Sequence, residues 1–268
     1  MSLRTRLLPA FVLLVVVVVC VQFLSPVGFF LILQILILAS LLEFYNLSQK
    51  RKLFPHTILG CVLALTISCS FLFIEISLGM AVFACLFIGG LYYIVSTNRL
   101  EKLASFPGSF AITFFGALYL SFPLNYFYLL KGQKGGYYIY FLLAVVFLGD
   151  TGAYIFGKLW GRRKMLPMAS PRKTWEGSLG GILFGCLGAA ASQQLFLPDI
   201  LIWRAVLGGF FIHAVAQISD PLESLFKRAV GVKDSSRILL GHGGFLDRVD
   251  SLILATPFYY YYIHFFWS

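Results

Sequence analysis

The sequence is poor in charge, and poorest in acid. Only eleven of its 268 residues are Asp or Glu, against 21 Lys or Arg, and charged residues make up 12% of the chain. A soluble domain carries about twice that share. Hydrophobic residues reach 59% and the mean hydropathy is +0.87. At this size a soluble fold has more surface than so few polar residues could cover, so a soluble domain is excluded. A disordered chain is excluded too, because it would need low hydrophobicity. Cysteine is also scarce. Cys20, Cys61, Cys69, Cys85 and Cys186 all lie in apolar runs, none in a C-x-x-C and none at zinc spacing from histidine. That excludes a disulfide framework and a zinc module, and leaves small packing residues. Of the few histidines, His56, His213 and His264 are isolated and read as structural or interfacial. No basic stripe on a soluble module is present, so the net charge of +10 is no sign of nucleic acid. It suits anionic lipid or nucleotide phosphate.

Long apolar runs are what the chain has in abundance. A helix crosses a bilayer with about 20 apolar residues. Nine runs meet that description: 7–24, 27–45, 55–74, 77–95, 106–130, 137–157, 176–197, 200–218 and 249–266. The first follows Arg4 and Arg6 and lacks a small-residue cleavage site, so an uncleaved span is expected rather than a signal peptide. Pro123 is expected to kink or end the fifth span. With the N-terminus inside, eighteen of the 21 basic residues fall in inner segments; only Lys131 and Lys134 are outside, and Arg204 lies within span eight. This bias predicts a cytoplasmic N-terminus and an outer C-terminus. Seven or eight spans would result if a short run were re-entrant. The expected fold is therefore an all-α polytopic membrane protein of about nine transmembrane helices, one transmembrane domain over 1–268. Residues 1–130 would serve packing, a dimer contact or a lipid groove, and 137–268 would form the catalytic half. Only the inner loops at 157–175 and 219–248 are long, so any chemistry is expected at the cytoplasmic face of that half. Arg51, in an early inner loop, reads as a topology charge.

Six carboxylates, Asp150, Asp220, Glu223, Asp234, Asp247 and Asp250, crowd near the inner ends of spans six, eight and nine, and Glu176 opens span seven. Carboxylates at membrane depth are costly and face a cavity or a partner, so a site and a set of structural ion pairs are both open. Asp247, Asp250 and Ser251 are spaced to share one face of a helix beginning near Gly244. They suit a divalent cation with few protein ligands and the rest from water and phosphate, while Asp247 alone would suit a helix N-terminus. Asp220-Pro221-Leu222-Glu223 reads as a helix start, with Asp220 as N-cap, Pro221 first and Glu223 as capping-box partner. On the following helix Asp220, Ser224 and Lys227 share a face, with Arg228 beside them. Gly241-His242-Gly243-Gly244 is a turn that lets backbone N–H groups approach phosphate, or that simply turns the chain. Ser170-Pro171-Arg172-Lys173-Thr174-Trp175-Glu176-Gly177 joins cations, hydroxyls and a carboxylate; equally it is a positive-inside loop with an interfacial Trp. Gly177, Gly181 and Gly185 repeat every four residues and predict close helix approach.

Taken together, Ser224-Leu225-Phe226-Lys227-Arg228, Lys233-Asp234 and Gly241-His242-Gly243-Gly244-Phe245-Leu246-Asp247-Arg248-Val249-Asp250-Ser251 resemble the signature of the phosphatidate cytidylyltransferase, or CDP-diacylglycerol synthase, family. Gly149-Asp150-Thr151-Gly152-Ala153-Tyr154 and the 170–177 segment resemble that family as well. The likeness covers 137–268; before that only hydropathy is comparable. Ser219, Pro221 and Leu240 depart from the usual Gly, Leu and Pro without removing a charged or hydroxyl group. The resemblance implies a reaction of CTP with phosphatidic acid that gives CDP-diacylglycerol and pyrophosphate. The lipid phosphate is then the nucleophile, and no Ser-His-Asp triad is required. It implies catalytic roles for Asp220, Ser224, Lys227 and Asp247. Mg²⁺ would be served by Asp247 and Asp220 with Asp250 in support, and a second cation of unspecified identity would be accommodated. Lys227, Arg228 and Lys233 would hold phosphates, and Lys173, Ser170 and Thr174 the nucleotide or lipid phosphate. Asp150, Glu176, Glu223, Asp234, His242, Gly243, Gly244 and Arg248 would add substrate contacts. The implied setting is a bacterial-type inner membrane, with the bilayer and a second copy of the chain as partners and no nucleic acid. A secondary transporter fits less well, because the charges gather at one face and not at the midplane. A CTP-using polyprenol kinase or ether-lipid synthase is the nearer alternative.

Overall fold

The computed structural model describes residues 4–73, 75–236 and 243–267. Its backbone is mainly helical, for the reason the composition supplies: in lipid, each backbone N–H and C=O must be satisfied within the protein, and a helix does so locally. Among the described residues the order is α1 (Arg4–Phe23), α2 (Pro26–Gln49), α3 (Thr57–Leu72), α4 (Leu78–Ser96), α5 (Leu100–Leu124), α6 (Tyr126–Lys131), a 3-10 turn (Lys134–Gly136), α7 (Tyr137–Leu159), β1 (Lys164–Leu166), β2 (Ser170–Thr174), α8 (Trp175–Phe196), α9 (Ile202–Ala229) and α10 (Leu246–Phe266). Every apolar run of the sequence falls on one or two of these helices. Among the described residues six stretches are long and apolar enough to cross a membrane: Pro26–Gln49, Leu78–Ser96, Leu100–Lys131, Lys134–Leu159, Trp175–Phe196 and Ile202–Ala229. The chain is a polytopic helical membrane protein. Local signals set several boundaries. The Ser25 and Ser77 hydroxyls accept from Gly28 N and Met80 N at the heads of α2 and α4, with Pro26 opening α2. As expected from Pro123, α5 closes at Leu124 and α6 begins two residues later.

The chain divides into two compact units, Met1–Tyr128 with Ala229–Arg248, and Leu129–Arg228 with Val249–Ser268. In the first, α2 buries Leu33, Ile37, Leu41 and Phe44 at helical spacing. The Tyr45 hydroxyl donates to the Thr113 carbonyl on α5 at 2.6 Å. Polar glue holds the deeper part: Gln34 Nε2 donates to Asn125 Oδ1 at 3.0 Å, and Asn125 Nδ2 donates to Ser68 Oγ at 2.8 Å.

In the second unit the glycine spacing does what it predicts. A Cβ on Gly177 would lie 2.8 Å from the Ala153 carbonyl of α7, and one on Gly181 would meet His213 and Gln217 of α9 within 2.7 Å. Gly185 meets His213 in the same way, at 2.9 Å. An aromatic cluster closes the other end, where Tyr259 stacks on Phe141 with centroids 5.3 Å apart and Trp267 lies edge-on at 5.1 Å from Phe141.

Two sequence expectations are corrected here. Asp220-Pro221 does not start a helix; α9 runs through it from Ile202 to Ala229. The buried positions Ile212, Ala216, Ser219, Glu223 and Lys227 keep the helical period across Pro221, so packing on both sides outweighs the local cap signal. The long inner loop expected at 219–248 is shortened accordingly. The 157–175 segment is also no plain loop: β1 and β2 pair as an antiparallel hairpin, with Lys164 opposite Thr174 and Leu166 opposite Ser170.

Candidate active site

The charged residues of the second unit gather around α9. Lys173, at the end of β2, places its Nζ 2.6 Å from Asp220 Oδ2. The Ser224 hydroxyl, one turn on, donates to Asp220 Oδ1 at 3.3 Å. Lys227 Nζ lies 2.5 Å from Glu223 Oε2, and both side chains are buried. Asp250 lies within electrostatic reach of Asp220, Glu223 and Lys227, and Asp150 on α7 within reach of Lys173 and Asp220. The arrangement contains two more carboxyl groups than ammonium groups, a balance that a divalent cation or protons would settle. Arg228 turns toward the hairpin, where its Nε donates to the Ala169 carbonyl at 3.4 Å.

The hairpin is tied to α8 by residues expected to touch substrate. Thr174 is the N-cap of α8, accepting from Gly177 N at 3.1 Å. Glu176 accepts from the backbone N–H groups of Arg162 and Arg163 at 3.0 and 3.2 Å. Together these bonds fix the turn that presents Lys173. Ser170 opens β2 and is half-buried. Ser219, where the family pattern has Gly, also has a structural use: its hydroxyl donates to the Asp250 carbonyl and accepts from Leu254 N at 3.2 Å, joining α9 to α10.

In the first unit the site residues lie around the start of α10. Asp247 Oδ2 accepts from Gly244 N at 2.8 Å, Ser235 N at 2.9 Å and Ser235 Oγ at 2.8 Å. Gly243 has φ +78°, and a Cβ there would sit 2.7 Å from Asp247 Oδ2, so glycine is required at this position by the carboxylate folded back over it. Beside Asp247 is a residue that the motif did not contain. Glu43 of α2, 3% exposed, accepts from Ser236 Oγ at 2.6 Å and Phe245 N at 3.1 Å through Oε1. Through Oε2 it accepts from Ser235 Oγ at 2.8 Å and Leu246 N at 2.9 Å. The Gly244 amide, in the turn expected to approach phosphate, is therefore engaged by Asp247, and the amides of Phe245 and Leu246 just beyond it by Glu43. A signal for Glu43 existed: it is a carboxylate inside an apolar span, where such a group needs a partner. Lys233, Asp234 and Arg248 are exposed in this unit. His242 lies outside the described residues. Arg51, read as a topology charge, also donates from Nε to the Ala229 carbonyl.

The chain is thus a polytopic membrane protein in which paired lysines and carboxylates, carried by α9 and the β1–β2 hairpin, stand among otherwise apolar helices. Comparison with known proteins narrows the class. The model of the cytidylyltransferase family matches residues 4–266, and the chain belongs to that family. It is similar to the phosphatidate cytidylyltransferases of Staphylococcus epidermidis, 40% identical over 166 residues, and Staphylococcus haemolyticus, 40% over 168. It is also similar to that of Staphylococcus aureus, 36% over 166. Each alignment spans 62% of this chain and 62% of the relative's own length.

Proposed function

We propose that this chain transfers the cytidylyl group of CTP to phosphatidate, giving CDP-diacylglycerol and pyrophosphate. The observation that carries this is the lysine–carboxylate cluster of Lys173, Asp220, Glu223 and Lys227 in a membrane chain of the cytidylyltransferase family. A phosphate oxygen of the lipid forms a bond to the α-phosphorus of CTP. The bond from that phosphorus to the bridging oxygen breaks, and pyrophosphate leaves with the electron pair. The nucleophile arrives already ionised, so the protein's work is positioning and neutralising phosphate charge. Lys173, Lys227 and Arg228, with Ser170, Ser224 and Thr174 nearby in sequence, are the proposed phosphate and nucleotide contacts of the second unit. Asp150, Glu176 and Glu223 hold or complement them. Lys233, Asp234, His242, Gly243, Gly244 and Arg248 are the proposed contacts of the first.

The donor chemistry fits Mg²⁺. The groups are hard carboxylate oxygens, and among the described residues no three His, Cys, Asp or Glu side chains form a ready-made cage. Mg²⁺ characteristically takes one or two carboxylates and completes its shell with water and phosphate. Asp220 and Asp250 supply such oxygens in the second unit and Asp247 in the first; the ion would add charge neutralisation at the phosphates. A second cation and a homodimer belong to the same proposal.

Nine spans with a cytoplasmic N-terminus, in a bacterial-type inner membrane and with the site facing the cytoplasm, complete it. Two ion pairs support this topology. Lys173–Asp220 joins two segments assigned inside, and Lys134–Asp199, at 2.8 Å, joins two assigned outside. The test is purified protein with labelled CTP and phosphatidic acid, scored for lipid-soluble cytidine. Product is expected only with phosphatidic acid present, lost in EDTA and restored by Mg²⁺. Full activity in chelator would remove the metal role; product with a polyprenol and none with phosphatidic acid would replace the substrate.

A further inference from the structure

We propose that Glu43 is a positioning residue for the reaction, a buried anion that holds the Gly243–Leu246 turn and, through Ser235, Asp247 in working arrangement. The proposal rests on the cytidylyltransferase reading, which gives Asp247 its role. Glu43 lies in α2, far along the chain from the motif. Both of its carboxylate oxygens accept two hydrogen bonds, from the hydroxyls of Ser235 and Ser236 and the amides of Phe245 and Leu246. Those residues bracket the glycine turn on both sides in sequence. Among the described residues the charge is met by N–H and O–H donors alone, and it faces the positive end of α10, which favours an anion.

The fit is tight enough to dictate sequence. A Cβ on Gly244 would come within 2.6 Å of the Glu43 carboxyl carbon, so the second glycine of the pair is the space the carboxylate needs. Ser235 links the two acids. Its single hydroxyl proton lies 2.8 Å by oxygen distance from both Glu43 Oε2 and Asp247 Oδ2, and it can be donated to only one at a time. Any change at Glu43 therefore changes what Asp247 receives. A buried carboxylate is costly unless fully hydrogen-bonded, and a neutral amide in its place could accept at only one oxygen while turning an NH₂ toward two donors.

The experiment compares full-length wild type, Glu43→Gln and Ser236→Ala by amide hydrogen exchange and by steady-state kinetics with CTP and phosphatidic acid. In Glu43→Gln the amides of Phe245 and Leu246 should exchange at least about tenfold faster and kcat should fall at least about tenfold, with KM for CTP within about threefold. Ser236→Ala removes one donor and leaves the anion, so it should lower kcat by about two- to fivefold. It carries the test if Glu43→Gln does not fold. Faster exchange with unchanged kcat overturns the proposal, as does a loss of kcat with unchanged exchange at the turn. An inactive wild type would instead sink the cytidylyltransferase reading, and the exchange measurement would still show whether Glu43 holds the turn.

Discussion

Lys227 is 6% exposed and its partner Glu223 only 1%. Removing one member of such a pair leaves the other buried and uncompensated, at a cost of about 3–5 kcal/mol. Lys227→Ala is therefore expected to lower Tm as well as turnover. The double variant Glu223→Gln, Lys227→Met removes both charges and should recover most of the lost Tm, while kcat stays at least about tenfold down if Lys227 neutralises phosphate. Thermal unfolding and CTP turnover on the same samples check this; a double variant as active as wild type would take Lys227 out of the catalytic assignment. Arg51 serves poorly as a neutral control because it bonds the Ala229 carbonyl, whereas Arg99 is exposed. Spacing made Asp220 and Ser224 legible as neighbours, since both lie on one helix. It could not show that Lys173 would pair with Asp220, because that depends on where β2 carries its penultimate residue.

At the scale of elements, glycine placement was the most legible feature and helix continuity the least. Small residues every four positions say that a neighbour approaches closely, and α8 meets α7 and α9 at those glycines. A cap pattern such as Asp220-Pro221-Leu222-Glu223 is a local signal. It lost to the buried stripe that α9 carries on both sides of Pro221. The hairpin was hidden because its strands are only three and five residues long. Packing makes a sharp prediction at Gly152 of α7, where a Cβ would lie 2.7 Å from the Gly180 carbonyl oxygen. Gly152→Val should destabilise by about 1–3 kcal/mol or more, since backbone cannot step aside. Gly90 of α4 has nothing within 4 Å of a Cβ, and Gly90→Ala should be neutral or stabilising by up to about 1 kcal/mol. Equal Tm values for the two variants would contradict this packing.

At the scale of the whole molecule, composition alone gave the class, because no soluble fold can carry this apolar content. The two units were not legible, since the first joins Ala229–Arg248 to helices more than 100 residues earlier. That grouping rests on contacts such as those of Glu43, which no motif spacing contains. The proposed topology predicts that an impermeant thiol reagent labels Met165→Cys from the cytoplasmic side and Gln133→Cys from the other; labelling of both from one side would contradict it. The central claim is transfer of cytidylyl, and CTP labelled separately at the α- and γ-phosphorus tests it most directly. With phosphatidic acid and Mg²⁺, the α-label should enter the lipid fraction while the γ-label is released as pyrophosphate in equal amount. A γ-label in the lipid, or an α-label left in water-soluble nucleotide, would contradict the account.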